Sequence, residues 1–497
     1  KNASIGLNEN GERVFFETPT PGETNSTVYV KRYSAPVEFS LNGGEISSGQ
    51  LLMLTAEEGA EIYFTLDGSL PTSSDILYVN PIGLDSSRTV RAIAIADGQL
   101  PSTVTTRTYI VGVEHDLPII ALSTEPWRLF GSAGMYSNPF NKIEQPVHVE
   151  FYETDGLALS FDAGIEIAGG FSQAMPQKSI VIRLRKEYGT EEINYPLFDG
   201  NEATSFKHIL LRTSGQDQNM TKIKDAFIHR AVNNVLDIDV MDSRPCVVYI
   251  NGEYWGLYNI REKVNEDYLA SHYGVDPKKL DIVVWNGFAL AGSNEAYKAL
   301  LEYVATHDMQ NQEYYEYVTL QIDIDNFIDW LIIESYFGNT DLGNIEFWRD
   351  QNGGKWRWVL YDMDWALFHG TYTWNNLSEQ IFNPDGMGAG RWIDTTLQVN
   401  LLRNDQFKKE FIRRYALYTS TYFNPTRLLP IYDSMIAEIK SEMPRNVERW
   451  PHNWGPWELH VGFVRQIIIE KPEIEKNHLQ SFFGLSNEEM LELFPYK

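Results

Sequence analysis

Two short acidic words stand out in the 497-residue chain. Asp341 and Asn344 share the polar run Thr340-Asp341-Leu342-Gly343-Asn344, and Asp362 and Asp364 flank Met363 behind the aromatic-rich run Trp358 to Tyr361. Carboxylate and amide oxygens are hard ligands of the kind that hold magnesium or manganese. A further carboxylate near an attacking hydroxyl can take its proton. Both are requirements of phosphoryl transfer, where cations neutralise phosphate charge and positioning does most of the catalysis. A lone Asp-x-Asp at a strand end is more often a solvated turn. Its combination with Asp341 shifts the balance toward a metal site.

The flanking sequence supplies the elements that would position these groups. Asp325 or Asn326 can cap a helix, and Phe327, Ile328, Leu331, Ile332 and Ser335 continue it at helical spacing. Gly338-Asn339 ends it, since both residues tolerate the left-handed conformation. Strands are expected at 345–349 and 355–361, joined by Asn352-Gly353-Gly354. The order is therefore helix, acidic loop, hairpin, acidic strand end. Kinase-like folds use that order to bring a catalytic Asp and a metal-binding Asp to one point.

Composition bounds the rest. Hydrophobic residues make up 43% and aromatic residues 13%, ample for packed cores. The balance of 41 basic against 68 acidic residues gives a formal charge of −27, which opposes nucleic-acid and anionic-membrane partners. A phosphate ligand must then be held by a local basic or metal-filled pocket. The one cysteine, Cys246, permits no intramolecular disulfide and sits in an apolar strand-like run, where a core thiol is the expected role. No apolar run is long enough to span a membrane. A chain starting at Lys1 reads as processed, with any signal peptide outside it.

Further motifs lie upstream. Residues 38–112 carry short strand patterns such as Glu61 to Thr65 and Thr89 to Ala94, split by Asp67-Gly68 and Asp97-Gly98, which argue for a β-sandwich. From 116 the pattern turns to mixed α and β. It includes strands at 147–152 and 180–184, a glycine-rich turn Gly169-Gly170-Phe171-Ser172, helical spacing over 225–236, and a hairpin over 247–260 closed by Asn251-Gly252. Helices dominate after Trp374, with 407–422 the clearest.

Several of these words resemble known families. Ile62 to Ser69 with Pro71-Thr72, Tyr78, Pro81-Ile82 and Val90 to Ala94 resembles the chitobiase/β-hexosaminidase C-terminal-type module. Ser4 to Asn25, with Thr18-Pro19-Thr20-Pro21-Gly22, resembles the closing end of a lamin-tail-type domain, and a plain linker reads about equally well. Four motifs resemble the signature of the CotH-type spore-coat kinase family. They are Gln177-Lys178-Ser179, Tyr249 to Tyr258 with Arg261-Glu262, Gly338 to Asp341 with Asn344, and Trp358 to Asp364. The resemblance implies a multidomain chain: segment 1–37, a β-sandwich module at 38–112, an α+β atypical protein-kinase-like domain at 116–423, and a helical extension at 424–497. It implies ATP with Mg²⁺ or Mn²⁺, a hydroxyl acceptor on an exported protein or glycan, and a bacterial, secreted or cell-surface setting. Asp341 matches the family's catalytic Asp, and Asp364 its metal-binding Asp with Asp362 beside it. Asn344 would be a second metal ligand, and Trp358 an aromatic of the ATP site. Lys178 would bind phosphate with Glu262 as its ion-pair partner, and Arg183 and Arg185 are its rivals on the next strand. The G-x-G-x-x-G, H-R-D and D-F-G words of standard protein kinases are missing.

Three other functions fit parts of the pattern. A degenerate kinase-like scaffold in a surface or glycan-associated protein is the main alternative. A nucleotide-sugar transferase could also use Asp-x-Asp, although no doubly wound nucleotide domain precedes it. A two-carboxylate glycosidase has no distinguished pair. The scattered histidines offer no H-E-x-x-H zinc site, and no G-x-S-x-G elbow marks a serine hydrolase.

Overall fold

The computed structural model describes every residue except 1, 2, 17, 26, 27, 199, 201, 202, 342, 384–393, 496 and 497. The chain forms two units. The first comprises Lys1–Ala168, Ile180–Glu191 and Cys246–Leu257, and the second Gly169–Ser179, Glu192–Pro245 and Tyr258–Lys497.

The first unit is rich in sheet. Ser4–Leu7 and Arg13–Phe16 pair antiparallel. A five-stranded sheet follows in the order Gly44–Ile46, Thr105–Val111, Arg88–Ile95, Glu61–Thr65, Ile76–Leu77. Two small sheets, Glu38–Phe39 with Leu54–Thr55 and Gln50–Leu52 with Ile82–Leu84, supply Leu52, Leu54 and Leu84 to a core with Phe64, Val90 and Tyr109. Alternating apolar residues on short strands give each sheet one buried face. Beyond this module, Ile119–Ser123, Gln145–Glu153 and Gly156–Ala168 pair in an antiparallel meander. Ile119 to Leu122 also pairs parallel with Val247 to Ile250. Asn251, at φ 53°, and Gly252, at φ 81°, make the left-handed turn of the expected hairpin. Cys246 is fully buried in its strand.

The second unit holds the helices and a four-stranded sheet in the order Phe288–Ala291, Leu280–Val284, Glu346–Asp350, Arg357–Val359. The strand His208–Arg212 pairs antiparallel with residues 259–261, Leu210 opposite Arg261. The helix expected over 225–236 spans Lys224–Val232. At the C-terminal end lie Asp405–Ser420, Pro425–Ile439 and the long Trp457–Phe483. Among the described residues no helix is long and apolar enough to cross a membrane.

Candidate functional site

The helix Ile324–Phe337 anchors the site. It starts on Asp323, whose carboxylate accepts the Asn326 amide at 3.4 Å, so the cap is neither Asp325 nor Asn326. Every residue from Asn326 to Phe337 is buried, which fixes where the helix ends. Gly338 closes it in the left-handed conformation at φ 67°. Asn339 Oδ1 then accepts the Asp341 N–H at 3.1 Å, an Asx turn that sets the loop's direction. Leu342 of that loop lies outside the described residues. On the other side, the hairpin pairs Glu346 with Val359 and Phe347 with Trp358. Asp362 leaves it at φ 53°, uncommon for a non-glycine residue, and the 3₁₀ turn Met363–Trp365 follows.

The two acidic words meet through Asn344. Its amide donates to Asp341 Oδ2 at 3.0 Å and to Asp362 Oδ2 at 2.8 Å. Arg212, from the strand His208–Arg212, donates to Asp362 Oδ1 and lies 3.4 Å from Asp364 Oδ2. The backbone N–H of Gln216 donates to the same Asp364 oxygen at 3.0 Å. Asp364 is 1% exposed, and its second oxygen, Oδ1, is buried without a hydrogen-bond partner. Burial raises the Asp364 pKa well above the ordinary range, and Asp362 adds to the rise. Asp341 is half-buried and also raised, by burial first and then by Asp362. A raised carboxylate is a better proton acceptor near neutral pH.

Arg212, Gly215, Gln216, Lys224 and Asp225 are site residues that the sequence reading missed. Asp225 receives the Met363 N–H at 2.9 Å and pairs with Arg261, with Arg212 Nε 3.7 Å away. Its burial cost is outweighed by Arg261, Arg212 and His229, which hold its pKa well below the usual value. For Arg212, burial pulls the pKa down, and Asp362, Asp225 and Asp364 more than reverse it. Gly215 has φ 52°, and a Cβ there would collide with Asp364 Oδ2, so only glycine fits. Buried Asp217 ties this loop down by accepting from Thr221 N–H at 3.0 Å, Thr221 Oγ1 at 2.7 Å and Lys224 N–H at 3.0 Å. Lys224 Nζ is buried without a hydrogen-bond partner, 3.8 Å from Asp217 Oδ1. Burial lowers its pKa, opposed by Asp217 and Asp364. One signal in the sequence pointed here: a strand running straight into the polar turn Thr213-Ser214-Gly215-Gln216-Asp217.

Residues 165–474 match the family model described as CotH kinase protein, and residues 41–106 match the chitobiase/beta-hexosaminidase C-terminal domain. The chain belongs to the CotH kinase family. No curated protein matches it.

The remaining sequence-derived residues of this CotH-family chain lie elsewhere. Lys178 Nζ donates to the carbonyls of Gln173 at 2.7 Å and Met175 at 2.6 Å, so it fastens the turn Phe171–Ala174. Glu262 accepts the Asp242 N–H at 3.0 Å and lies 2.7 Å from His272 Nε2. Trp358, 2% exposed, packs on Phe327, Trp330 and Phe347. Arg183 and Arg185, in the first unit, both pair with Glu144, and Arg183 also with Glu166. Asp341, Asn344, Asp362 and Asp364 are thus brought together, and the other five are held by different partners.

The donor set suits a divalent cation bound jointly with phosphate. Among the described residues no three His, Cys, Asp or Glu side chains are grouped to hold a metal alone. Magnesium usually takes only one or two protein carboxylates and fills its other positions with water and phosphate oxygens. Asp362 and Asp364 match that demand, Asp364 Oδ1 being buried without a hydrogen-bond partner, whereas Asn344, expected as a second metal ligand, turns its amide N–H groups to Asp341 and Asp362 and so orients these carboxylates.

Proposed function

We propose that this protein is a metal-dependent phosphotransferase that moves the γ-phosphoryl group of ATP to a hydroxyl on an exported protein or glycan. The observation that carries the reading is the chain of contacts in which Asn344 joins Asp341 to Asp362 and Arg212 joins Asp362 to Asp364, whose Oδ1 is buried without a hydrogen-bond partner. Asp362 and Asp364 would hold a divalent cation, whose chemistry is to neutralise phosphate charge. Asp341, raised by burial, accepts the acceptor hydroxyl's proton. Arg212 and the Gln216 N–H hold the Asp364 carboxylate in place. Arg212 and Lys224 are the basic side chains proposed to meet phosphate oxygens, in the place where the sequence had suggested Lys178.

The strand His208–Arg212 supports a track for the rest of the nucleotide. Its burial alternates, so His208, Leu210 and Arg212 share one partly open face. From His208 to Arg212 the strand covers about 13 Å at roughly 3.3 Å per residue, the scale of an extended nucleoside triphosphate. At the His208 end lies a cavity of about 320 Å³ lined by Lys207, His208, Glu262, Lys263, Asn265 and Tyr268. The base would occupy this cavity, which gives Glu262 a place beside the base rather than beside a phosphate-binding lysine.

ATP with Mn²⁺ should raise the melting temperature. Ligand at a hundred times its dissociation constant stabilises by about 2.7 kcal/mol. Radiolabelled phosphate should move from γ-labelled ATP to protein, and Asp341→Ala should bind ATP without transferring it. Binding without transfer by the native chain would leave a nucleotide-binding scaffold. A shift with UDP-sugars and none with ATP would replace the reading with glycosyl transfer.

A further inference from the structure

The first unit contains a cavity of about 660 Å³ that shares Leu70, Arg91, His148 and Asp162 with a neighbouring cavity of about 430 Å³. Both volumes lie within the roughly 300–1,000 Å³ of small-molecule sites. The walls are of two kinds. Arg91 is only 7% exposed. Its Nη1 donates to the Gly68 carbonyl at 2.8 Å, and its Nε is buried without a partner. Across from it, His148 Nδ1 lies 2.8 Å from Asp162 Oδ1, and the Asp162 side chain is 63% exposed, so its carboxylate can still accept. The apolar wall has Tyr33, 40% exposed, with Leu70 and Pro101. The Tyr33 ring is held edge-on by Phe15 at 5.0 Å.

This lining selects a chemical class. A hydroxyl can both accept from a lining guanidinium such as Arg91 and donate to a carboxylate such as Asp162. The smaller cavity adds Glu187 and the ion pair of Arg128 with Glu125 at 2.7 Å, so the lining carboxylates Asp162, Glu125 and Glu187 outnumber the guanidiniums of Arg91 and Arg128. A net anion is disfavoured there, and the chain's charge of −27 disfavours it further. A flat, preset aromatic ring suits the C–H face of a pyranose. We propose that this cavity binds a short neutral oligosaccharide, a function separate from the phosphotransfer site.

The full-length chain should be titrated with cellobiose, N,N′-diacetylchitobiose and cellobiouronic acid, by calorimetry and saturation-transfer NMR. At least one neutral disaccharide should bind at millimolar concentration or below, and more tightly than the uronic acid. Tyr33→Ala should weaken that binding by about tenfold or more and leave the melting temperature unchanged, since the ring is partly exposed. Asp162→Asn should weaken it too, and Asp364→Asn should not. Failure of both neutral sugars to bind, equal binding by Tyr33→Ala and Asp162→Asn, or a preference for the uronic acid would each overturn the proposal. None of these results depends on ATP.

Discussion

Two arginine–carboxylate clusters in the second unit use the same residue types to opposite ends. Arg357 bonds Asp237 at 2.7 Å and Asp239 at 2.8 Å, and it also pairs with Asp323. Asp239 is completed by Trp348 Nε1 at 2.7 Å. Around Arg212 the accounts stay open. Its Nε is buried without a hydrogen-bond partner, 3.7 Å from Asp225, Asp364 Oδ1 has no hydrogen-bond partner, and three carboxylates crowd one guanidinium. The first cluster is saturated and fastens the Arg357–Val359 strand to the chain around Asp239 and to the helix cap Asp323. The second is under-satisfied, the condition in which a ligand gains most by completing the pairing. Unmet hydrogen-bonding capacity, rather than charge or burial, separates the candidate site cluster from the saturated one.

That contrast can be broken at several points. The largest effect is expected at Asp364. Asp364→Ala should lower phosphoryl transfer by about 10³-fold, the scale of losing a principal electrostatic contact. It should hold or raise the melting temperature, because a buried carboxylate with an unpartnered oxygen is removed. Loss of fold would place Asp364 with the structural class. Arg357→Met should do the reverse. Stranding buried Asp239 should cost ~3–5 kcal/mol in urea denaturation, with the transfer rate of the folded fraction retained.

Gly215→Ala tests the fit between the loop and Asp364. Displacing that carboxylate should cost about 10²-fold in rate, the penalty of a misplacement near 1 Å, with a smaller loss of stability. Lys222 sharpens the comparison from the cationic side. It is 2% exposed, donates to Gln177 Oε1 at 2.9 Å, and burial lowers its pKa to about 7 despite Asp217. Its folded value lies below its unfolded value, so the unfolded chain holds more protons between them, and stability rises with pH from about 7 toward about 10.5. Lys222→Met should therefore stabilise by roughly 1–4 kcal/mol at pH 6–7, with the gain shrinking toward pH 10. A gain independent of pH would refute a charged buried lysine. The smallest effect belongs to a surface pair. Arg413 keeps 58% of its side chain exposed beside Glu410, and Arg413→Ala should change stability by ~0.5 kcal/mol or less.

Legibility divides along the same line. The helix Ile324–Phe337, its glycine stop, the hairpin and the position of Asp362 and Asp364 after it follow from local periodicity and turn chemistry, and the structure shifts their bounds by only a few residues. Asp341 and Asn344 were legible for the same reason, since one short loop carries both. The basic half of the site was not. Lys178 sits in a motif of the right composition, yet its ammonium caps a local turn. Trp358 was read as lining a ligand site, and its strand turns it into the aromatic core.

The sequence by itself determined the family, the order of elements and the acidic words of the site, because each depends on neighbours a few positions away. Only the tertiary structure decided which cation faces them. Arg212 reaches Asp362 across 150 residues, and Gln216 reaches Asp364 across 148. Such pairs are set by which strand ends and loops pack together, and by which buried groups are left without partners. Burial and partner count belong to the folded chain, so no local pattern can encode them.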